Sequence, residues 1–413
     1  MIGRAVGGVV ATRGQVVEAE LPFARVGDGV RICARDAAVH ARVTALHGSR
    51  ALLAPHGAID GVAAGDRVAA DPGVLTLPLG TPLLGRAIGA SGAPLDGRPA
   101  PRGRRLPVAS PAHAVAERRP CRGVCWTGVR AIDGPLALGR GARIGLFGPP
   151  GAGKSTLLDA VVRGVDADAV IVGLVGERGR EAERRLAALD PRTTLVIATA
   201  DRAPAERLRA AEVAFAQAAA LRARGLDVLL VVDSLARIAA AAREVALAAG
   251  EAPGRGGYPP SVFASLARLL ESAGAAGDGT VTLIATVLSD GPEEHDPVSE
   301  AARAALDGHV VLSARLAHAG RFPAIDVSRS ASRTFGDVAA PEHLAAARVL
   351  RAAVAALDAS RDARALGIES ADPFLARCVA HEGAIERFLS QGPEPSSAEA
   401  TLTALRALAD TLT

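Results

Sequence analysis

Lysine, asparagine and aromatic residues are almost missing from this chain of 413 residues. It contains one lysine and no asparagine, and aromatic residues make up 2% of it. Phe23 is the only aromatic residue before residue 100, which argues against a base-stacking surface for single-stranded nucleic acid in that region. Cys121 and Cys125 have no second close pair to complete a zinc site, so we expect free thiols.

Long apolar runs and a strong net charge are also missing. Hydrophobic residues make up 49% of the chain and charged residues 22%, with a net charge of +3. No apolar run approaches the roughly 20 residues of a membrane-spanning helix. The first residues lack the charged and apolar regions of a secretory signal. We therefore expect a mixed-charge, cytoplasmic globular protein of two or three domains.

The single lysine, Lys154, lies in a phosphate-binding motif. The segment Gly148–Thr156 reads G-P-P-G-A-G-K-S-T and matches the pattern G-x-x-x-x-G-K-[ST]. Its glycines let backbone N–H groups surround a phosphate, and the ammonium group of Lys154 can reach between two phosphates. The hydroxyl of Ser155 can bind Mg²⁺. The predicted nucleotide-binding residues of this loop are Gly148, Gly151, Ala152, Gly153, Lys154, Ser155 and Thr156.

Turn residues and hydrophobic periodicity divide the chain into three predicted domains. Residues 1–70 show short strand patterns at 14–18, 29–33, 41–45 and 50–54, and their spacing is typical of a small β-barrel. Residues 71–340 begin with a Pro/Arg-rich lead-in at 71–140, in which 102–122 is predicted to be an extended linker, and continue with alternating strands and helices. Residues 341–413 are helical. The alternation predicts strands at 143–147, 169–175, 194–199, 226–232, 280–287 and 309–313, and helices at 154–163, 179–189, 204–224, 235–249 and 260–273.

Two carboxylates end predicted strands downstream of the loop. The apolar run from Leu226 ends at Asp233, the place of a Walker B aspartate that holds Mg²⁺. The segment Gly176–Glu181 follows another strand, and Glu177 could orient and polarise an attacking water. Each is also compatible with a solvated turn, but the phosphate-binding loop favours the functional interpretation.

Two arginines follow the last strands of the predicted sheet, in Ser328–Arg333. An arginine here could act on a γ-phosphate across a subunit boundary. Because the chain is rich in arginine, spacing alone does not separate Arg329 from Arg333.

Several motifs together resemble the type III secretion ATPases, namely the injectisome ATPase and its flagellar export relative. These are similar to the α and β subunits of rotary ATP synthases. The segment Gly257–Phe263, G-Y-P-P-S-V-F, is the most specific motif because it separates secretion ATPases from synthase subunits. The other matching segments are Thr127–Asp133, Gly148–Thr156, Gly176–Glu181, Val232–Arg237, Leu247–Glu251, Leu306–Ser313 and Phe322–Asp326.

The resemblance implies an α/β fold: a RecA-like P-loop NTPase core with an N-terminal small β-barrel and a C-terminal helical domain. It implies a homohexamer that hydrolyses ATP with Mg²⁺ and powers type III protein secretion. The implied partners are secretion stalk and export-gate proteins and chaperone–effector complexes, at the cytoplasmic face of the inner membrane. It implies chaperone release and substrate unfolding, with no nucleic acid as a partner.

The resemblance also implies roles for individual residues. Lys154 contacts the phosphates and Glu177 activates water. Arg178 and Glu181 support that network, and Arg333 is the arginine finger that enters the site of a neighbouring protomer.

Three further residues complete the implied site. Ser155 and Asp233 bind Mg²⁺, and Phe322 stacks on adenine. The chain departs from the family pattern at Pro149–Pro150 and in the segment Asp290–Asp296. It begins almost directly at the first predicted strand, so we expect the N-terminal helical extension of many relatives to be short or missing.

Two other functions remain open from the sequence. A RecA-like nucleic-acid translocase would need aromatic or basic surfaces for a single strand, which the predicted barrel lacks in obvious form. A non-catalytic nucleotide-binding subunit of a rotary ATPase would lack a carboxylate at the water-activating position, so Glu177 argues against it.

Overall fold

A computed structural model describes residues 6–22, 24–35, 38–71, 75–108, 115–288, 296–368 and 370–413. The chain divides into two compact units. The first contains residues 1–112, 171–221 and 232–272, and the second contains residues 113–170, 222–231 and 273–413. Among the described residues, no helix combines the length and apolar character needed to span a bilayer.

Strands and helices occupy the described residues in this order. The strands are β1 (Val6–Arg13), β2 (Val16–Glu20), β3 (Gly29–Cys33), β4 (Ala38–His47), β5 (Arg50–Pro55), β6 (Arg67–Ala70), β7 (Thr76–Leu77), β8 (Arg86–Gly89), β9 (Leu106–Pro107), β10 (Arg118–Arg119), β11 (Val124–Cys125), β12 (Leu138–Gly139), β13 (Arg143–Gly148), β14 (Ala169–Glu177), β15 (Thr193–Thr199), β16 (Asp227–Asp233), β17 (Gly274–Ala276), β18 (Gly279–Leu288), β19 (Gly308–Leu312) and β20 (Ile325–Ser332). The helices are α1 (Arg130–Asp133), α2 (Lys154–Gly164), α3 (Gly179–Ala187), α4 (Pro204–Arg222), α5 (Leu235–Ala248), α6 (Pro260–Glu271), α7 (Pro297–Ala305), α8 (Ala314–His318), α9 (Phe335–Val338), α10 (Pro341–Ala365), α11 (Pro373–Ala380), α12 (Glu382–Leu389) and α13 (Ala398–Leu412).

The first unit begins with a closed β-barrel. Strands β1 to β6 pair antiparallel in the order β1-β2-β5-β4-β3-β6, so the barrel predicted for the N-terminal region is confirmed. Alternate residues point inward, and Val17, Ile32, Leu53 and Val68 are fully buried. The sequence patterns identified the regions of β2 to β5 but missed β1 and β6.

The rest of the first unit carries α/β elements. Strand β8 pairs parallel with β15, with Ala87 opposite Leu195. Helix α4 is 19 residues long and rich in alanine, the best helix former. The predicted strand at 194–199 and the predicted helices at 179–189, 204–224, 235–249 and 260–273 are all confirmed to within a few residues. Strand β8 was not predicted, because it has four residues in a region rich in proline and glycine.

The second unit contains the sheet that carries the phosphate-binding loop. Strand β13 lies parallel to both β18 and β19, and β20 pairs antiparallel with β19. Leu146 and Phe147 of β13 point to opposite faces and are both buried, as expected for a strand covered on both faces. The predicted strands 143–147, 280–287 and 309–313 are confirmed.

The prediction of an extended linker at 102–122 is wrong in part. Leu106–Pro107 forms β9, which pairs with β7, and Arg118–Arg119 forms β10, which pairs with β17. Residues 109–114 lie outside the described residues, as do residues 290–295 of the unusual segment Asp290–Asp296. Asp296 is described, and its carboxylate accepts hydrogen bonds from the first backbone N–H groups of α7.

The C-terminal part of the second unit is helical. Helix α10 is 25 residues long and packs against α13, with Leu350 and Leu405 fully buried. The predicted helical region after residue 341 is therefore confirmed, while the three domain boundaries remain a prediction. Trp126 stacks on His343 of α10, with ring centroids 6.0 Å apart, and attaches the helix to the segment before α1.

Candidate functional site

The phosphate-binding loop connects β13 to α2 in the second unit. Gly153 has φ 90° and ψ 20°, a left-handed conformation that favours glycine and leads directly into α2 at Lys154. The Nζ of Lys154 donates to the carbonyl oxygen of Gly148 at 2.6 Å and to that of Pro149 at 2.8 Å. The lysine therefore reaches back into the loop that precedes its own helix, where the helix N-terminus favours an anion.

The other loop residues differ in exposure. Ala152 is buried and Ser155 is half-buried, whereas Thr156 is exposed. A Cβ atom at Gly148 would lie 2.9 Å from the Cβ of Leu312, so a larger residue would not fit there without movement. The loop is thus held against β19 at its start.

The predicted base-contacting residue lies beside this loop. A Cβ atom at Gly153 would be 4.0 Å from Cε1 of Phe322, and the Phe322 side chain is 48% exposed. Its carbonyl oxygen accepts a hydrogen bond from the backbone N–H of Gln391 at 2.8 Å. Within the second unit, the structure therefore brings Phe322 to Lys154's loop.

Glu177 ends strand β14 in the first unit. Its side chain is 13% exposed, and its Oε1 lies 2.7 Å from Nε of Arg237. Burial raises the pKa of the Glu177 carboxyl, and the negative charge of Asp233 raises it further. Arg237 lowers this pKa, so the arginine favours the ionised form that a general base requires.

Asp233 ends strand β16 and is followed at once by helix α5. The buried Ser234 caps this helix by accepting a hydrogen bond from the backbone N–H of Arg237. Asp233 and Glu177 end strands β16 and β14, which are neighbours in the sheet. The two predicted carboxylates are therefore the last residues of adjacent strands.

Arg178 and Glu181 lie in the segment that follows Glu177. Arg178 is exposed and precedes the first residue of α3. The carboxylate of Glu181 lies 3.0 Å from Nη2 of Arg184 on the same helix. Glu181 is therefore already paired, while Glu177 is the more buried of the two carboxylates.

Arg329 and Arg333 are both exposed near the end of the second unit's sheet. The pairing of β19 with β20 is irregular between His309 and Val311, which face Ala331 and Asp326 respectively. This bulge contains Arg329, whose carbonyl oxygen is 3.0 Å from Nε2 of His309.

Arg333 follows the last residue of β20. Its backbone N–H donates to the carbonyl oxygen of Asp307 at 2.9 Å, which fixes the backbone from which its side chain extends. The two arginines therefore start from different local structures, a bulge inside the strand and a strand terminus.

Sequence reasoning missed two residues of these sites, Arg237 and Gln391. Arg237 is the third residue after Ser234, so it lies in the first turn of a helix that starts at a strand's carboxyl end. This position after a predicted strand end could have identified Arg237 from the sequence. Nothing local marks Gln391, because its partner Gly128 is 263 residues away.

Comparisons with known proteins agree with these features. Residues 128–332 match the model of the ATP synthase alpha/beta family, nucleotide-binding domain, and residues 339–407 match the T3SS EscN ATPase C-terminal domain. The flagellum-specific ATP synthase of Pseudomonas aeruginosa is 41% identical over 87% of this chain and 82% of its own length. The type 3 secretion system ATPase of Pseudomonas syringae pv. tomato is 40% identical over 97% of this chain and 93% of its own length.

A solved structure gives the same result. The assembled ATPase EscN from the type III secretion system of enteropathogenic E. coli matches with a TM-score of 0.92 and 36% identity. The match covers 98% of this chain and all of that chain. The predicted fold class and the predicted P-loop ATPase are confirmed. The chain belongs to the family of type III secretion ATPases and flagellum-specific ATP synthases.

Proposed function

We propose that this protein hydrolyses ATP to ADP and phosphate and uses the reaction to drive protein export through a type III secretion apparatus. The observation that carries the proposal is the position of Lys154, whose ammonium group lies within the only G-x-x-x-x-G-K-[ST] loop of the chain. Bound phosphates would replace the carbonyl oxygens of Gly148 and Pro149 as its partners. Family membership supports the same activity.

Glu177 is the proposed general base for the attacking water. The ion pair with Arg237 engages Oε1, and Oε2 can accept a hydrogen bond from water. Arg237 also donates from Nη1 to the carbonyl oxygen of Gly176 at 2.6 Å, so it holds the carboxylate and the strand end together. We assign Arg178 and Glu181 supporting roles in this network.

Ser155 and Asp233 are the proposed ligands of Mg²⁺. A hydroxyl and a carboxylate are the oxygen donors that this ion prefers, so the donor set fits it. The ion would neutralise charge that develops on the phosphates. Phe322 is the proposed stacking surface for adenine, because its ring is half-exposed beside Gly153.

Arg333 is the proposed arginine finger, which completes the site of a neighbouring protomer in a homohexamer. Its exposure supports a partner outside its own chain. A solved structure of EscN with its central stalk EscO matches this chain with a TM-score of 0.89, and we propose a similar stalk as a partner. Export-gate proteins and chaperone–effector complexes are further proposed partners, at the cytoplasmic face of the inner membrane, where ATP hydrolysis would release chaperones and unfold substrates.

The proposed chemistry is tested by two substitutions in one segment. Glu177→Gln should retain ATP binding and lower kcat by a factor on the order of 10²–10⁴, the scale of a general base. Glu181→Gln is the matched control, since it removes the same charge from a carboxylate already paired with Arg184. Comparable kcat losses in the two variants would show that Glu177 is not the general base. A larger loss in Glu181→Gln would assign the general base to Glu181.

A further inference from the structure

The segment Glu386–Ser396, here called the C-terminal strap, contacts the residues that precede and include Phe322. The backbone N–H of Gln391 donates to the carbonyl oxygen of Phe322 at 2.8 Å. The adjacent Arg321 pairs with Glu386, with Nη1 3.0 Å from Oε1, and its side chain is only 11% exposed. Two bonds therefore attach the strap to the proposed base-contacting side of the nucleotide site.

The same strap packs against the end of α2, the helix that begins at Lys154. A Cβ atom at Gly164, the last residue of α2, would lie 2.9 Å from the Cβ of Pro395. A Cβ atom at Gly128 would lie 2.9 Å from the Cα of Gly164, and the N–H of Ser396 donates to the Gly128 carbonyl oxygen at 2.9 Å. The strap thus spans from the phosphate-binding helix to Phe322.

The side chain of Gln391 fixes the centre of the strap. Its Oε1 accepts from the backbone N–H of Arg130 at 2.8 Å. Its Nε2 donates to the carbonyl oxygens of Gly128 at 2.7 Å and Glu394 at 2.8 Å. Both N–H donors of the amide are in use, and the acceptor defines which way the amide faces. Rotation of this side chain would break these three hydrogen bonds. The backbone at Gln391, whose N–H binds the Phe322 carbonyl oxygen, therefore has one preferred position.

We propose that Gln391 is a positioning residue that holds Phe322 against the phosphate-binding loop and so sets how tightly the site binds the purine base of its nucleotide. The inference rests on the proposed function, because it concerns the part of the same nucleotide site that contacts the purine base. Stacking of a base on an aromatic ring depends on the separation and offset of the two rings. A Phe322 that is free to move therefore loses base affinity while the phosphate contacts of Lys154 remain.

The experiment separates base binding from phosphate binding. Affinities for ATP and for inorganic tripolyphosphate, which has no base, are measured by calorimetry on the full chain in a Glu177→Gln background. Gln391→Ala should weaken ATP binding about five- to tenfold, the lower scale of one stacked base, and change tripolyphosphate binding less than about twofold. Gln391→Glu, which keeps the acceptor for Arg130 but loses both N–H donors, should act in the same direction.

Gln217→Ala is the matched control. The Gln217 side chain also fixes a backbone segment, because it makes two hydrogen bonds to Gly80. It accepts from the Gly80 N–H at 2.7 Å and donates to the Gly80 carbonyl oxygen at 2.9 Å. Its removal should lower the Tm without changing the ratio of the two affinities.

The Phe322→Ala variant should lose ATP affinity, and adding Gln391→Ala to it should cause no further loss, because both act through one ring.

Equal weakening of ATP and tripolyphosphate by Gln391→Ala would overturn the inference, as would losses that multiply in the double variant. A Gln391→Ala chain that binds ATP normally would overturn it too. These outcomes are independent of hydrolysis: a wild-type chain that binds ATP but never turns it over would refute the proposed ATPase and leave the positioning role intact.

Discussion

Replacing Arg237 separates the two effects that this residue has on Glu177. In Arg237→Gln the positive charge and the bond to the Gly176 carbonyl are both lost. In Arg237→Lys the charge stays, but an ammonium group cannot contact Glu177 and Gly176 with the same planar geometry. We expect the Gln variant to alter both the rate and its pH dependence, and the Lys variant to alter mainly the rate.

The size of the effect follows from the contact itself. A partly exposed ion pair contributes about 0.2–1 kcal/mol, and each 1.36 kcal/mol corresponds to about tenfold in rate. Loss of the 2.7 Å ion pair with Glu177 should therefore lower kcat about 1.5- to 5-fold. Arg237 is 32% exposed, so solvent partly screens the pair and favours the lower part of that range.

The sign of the pH effect is also fixed. A general base works in its ionised form, so kcat falls when the pH drops through the pKa of Glu177. Burial and Asp233 raise this pKa, and Arg237 opposes them. Without the arginine the pKa is higher, so the acidic limb of the pH–rate profile should move to higher pH in Arg237→Gln and stay nearly in place in Arg237→Lys.

Steady-state ATPase assays across pH, with KM determined at each point, provide the measurement. The matched control is Arg243→Gln on the same helix, whose guanidinium lies 5.3 Å from the ring centroid of Tyr258. It should leave the acidic limb unchanged. An Arg237→Gln enzyme with the wild-type pH profile would refute the reasoning, because the ion pair would then have no influence on the proposed base.

Two further predictions concern the proposed roles of Lys154 and Arg333. Lys154→Arg should abolish turnover as completely as Lys154→Ala, because a planar guanidinium does not fit a loop whose carbonyl oxygens lie 2.6 and 2.8 Å from the lysine Nζ; near-normal ATPase activity in the Arg variant would contradict this. Arg333→Ala should bind nucleotide but hydrolyse it poorly, since a finger contributes on the order of 10³–10⁵ in rate, and mixing it with Glu177→Gln should restore part of the activity through interfaces that pair the intact residues. Arg329→Ala mixed in the same way should show no recovery beyond its own activity, and a failure of Arg333→Ala to be rescued would place the finger elsewhere.

Periodicity was sufficient to predict most of the regular structure. The run that ends at Asp233 and the strand before Glu177 are long and mostly apolar, and both were predicted correctly. Strand β1 was missed because it contains Gly7–Gly8, which weaken a strand pattern. The structure explains the first of these glycines, since a Cβ atom at Gly7 would lie 1.8 Å from the carbonyl oxygen of Glu20.

The candidate site was predictable where its residues belong to a motif, and not where they act through distant contacts. Lys154 and Glu177 follow from local patterns. Arg237 belongs to the matching segment Val232–Arg237. Its contact with Glu177, however, depends on how the ends of β14 and β16 pack together in the folded chain. Gln391 depends on Gly128 and Phe322, which lie far from it in sequence, so only the folded chain brings these groups together.

Lys154 and Arg237 each make two polar contacts, and the contacts suit different kinds of cation. Lys154 donates to two carbonyl oxygens of its own loop, an arrangement that suits a compact ammonium with three rotatable donors. Arg237 binds a carboxylate and a carbonyl at once, which the planar guanidinium does well because its donors diverge in fixed directions. We therefore expect arginine to suit the second kind of position and lysine to suit the first. The single lysine of the chain thus lies where two carbonyl contacts favour a compact ammonium group.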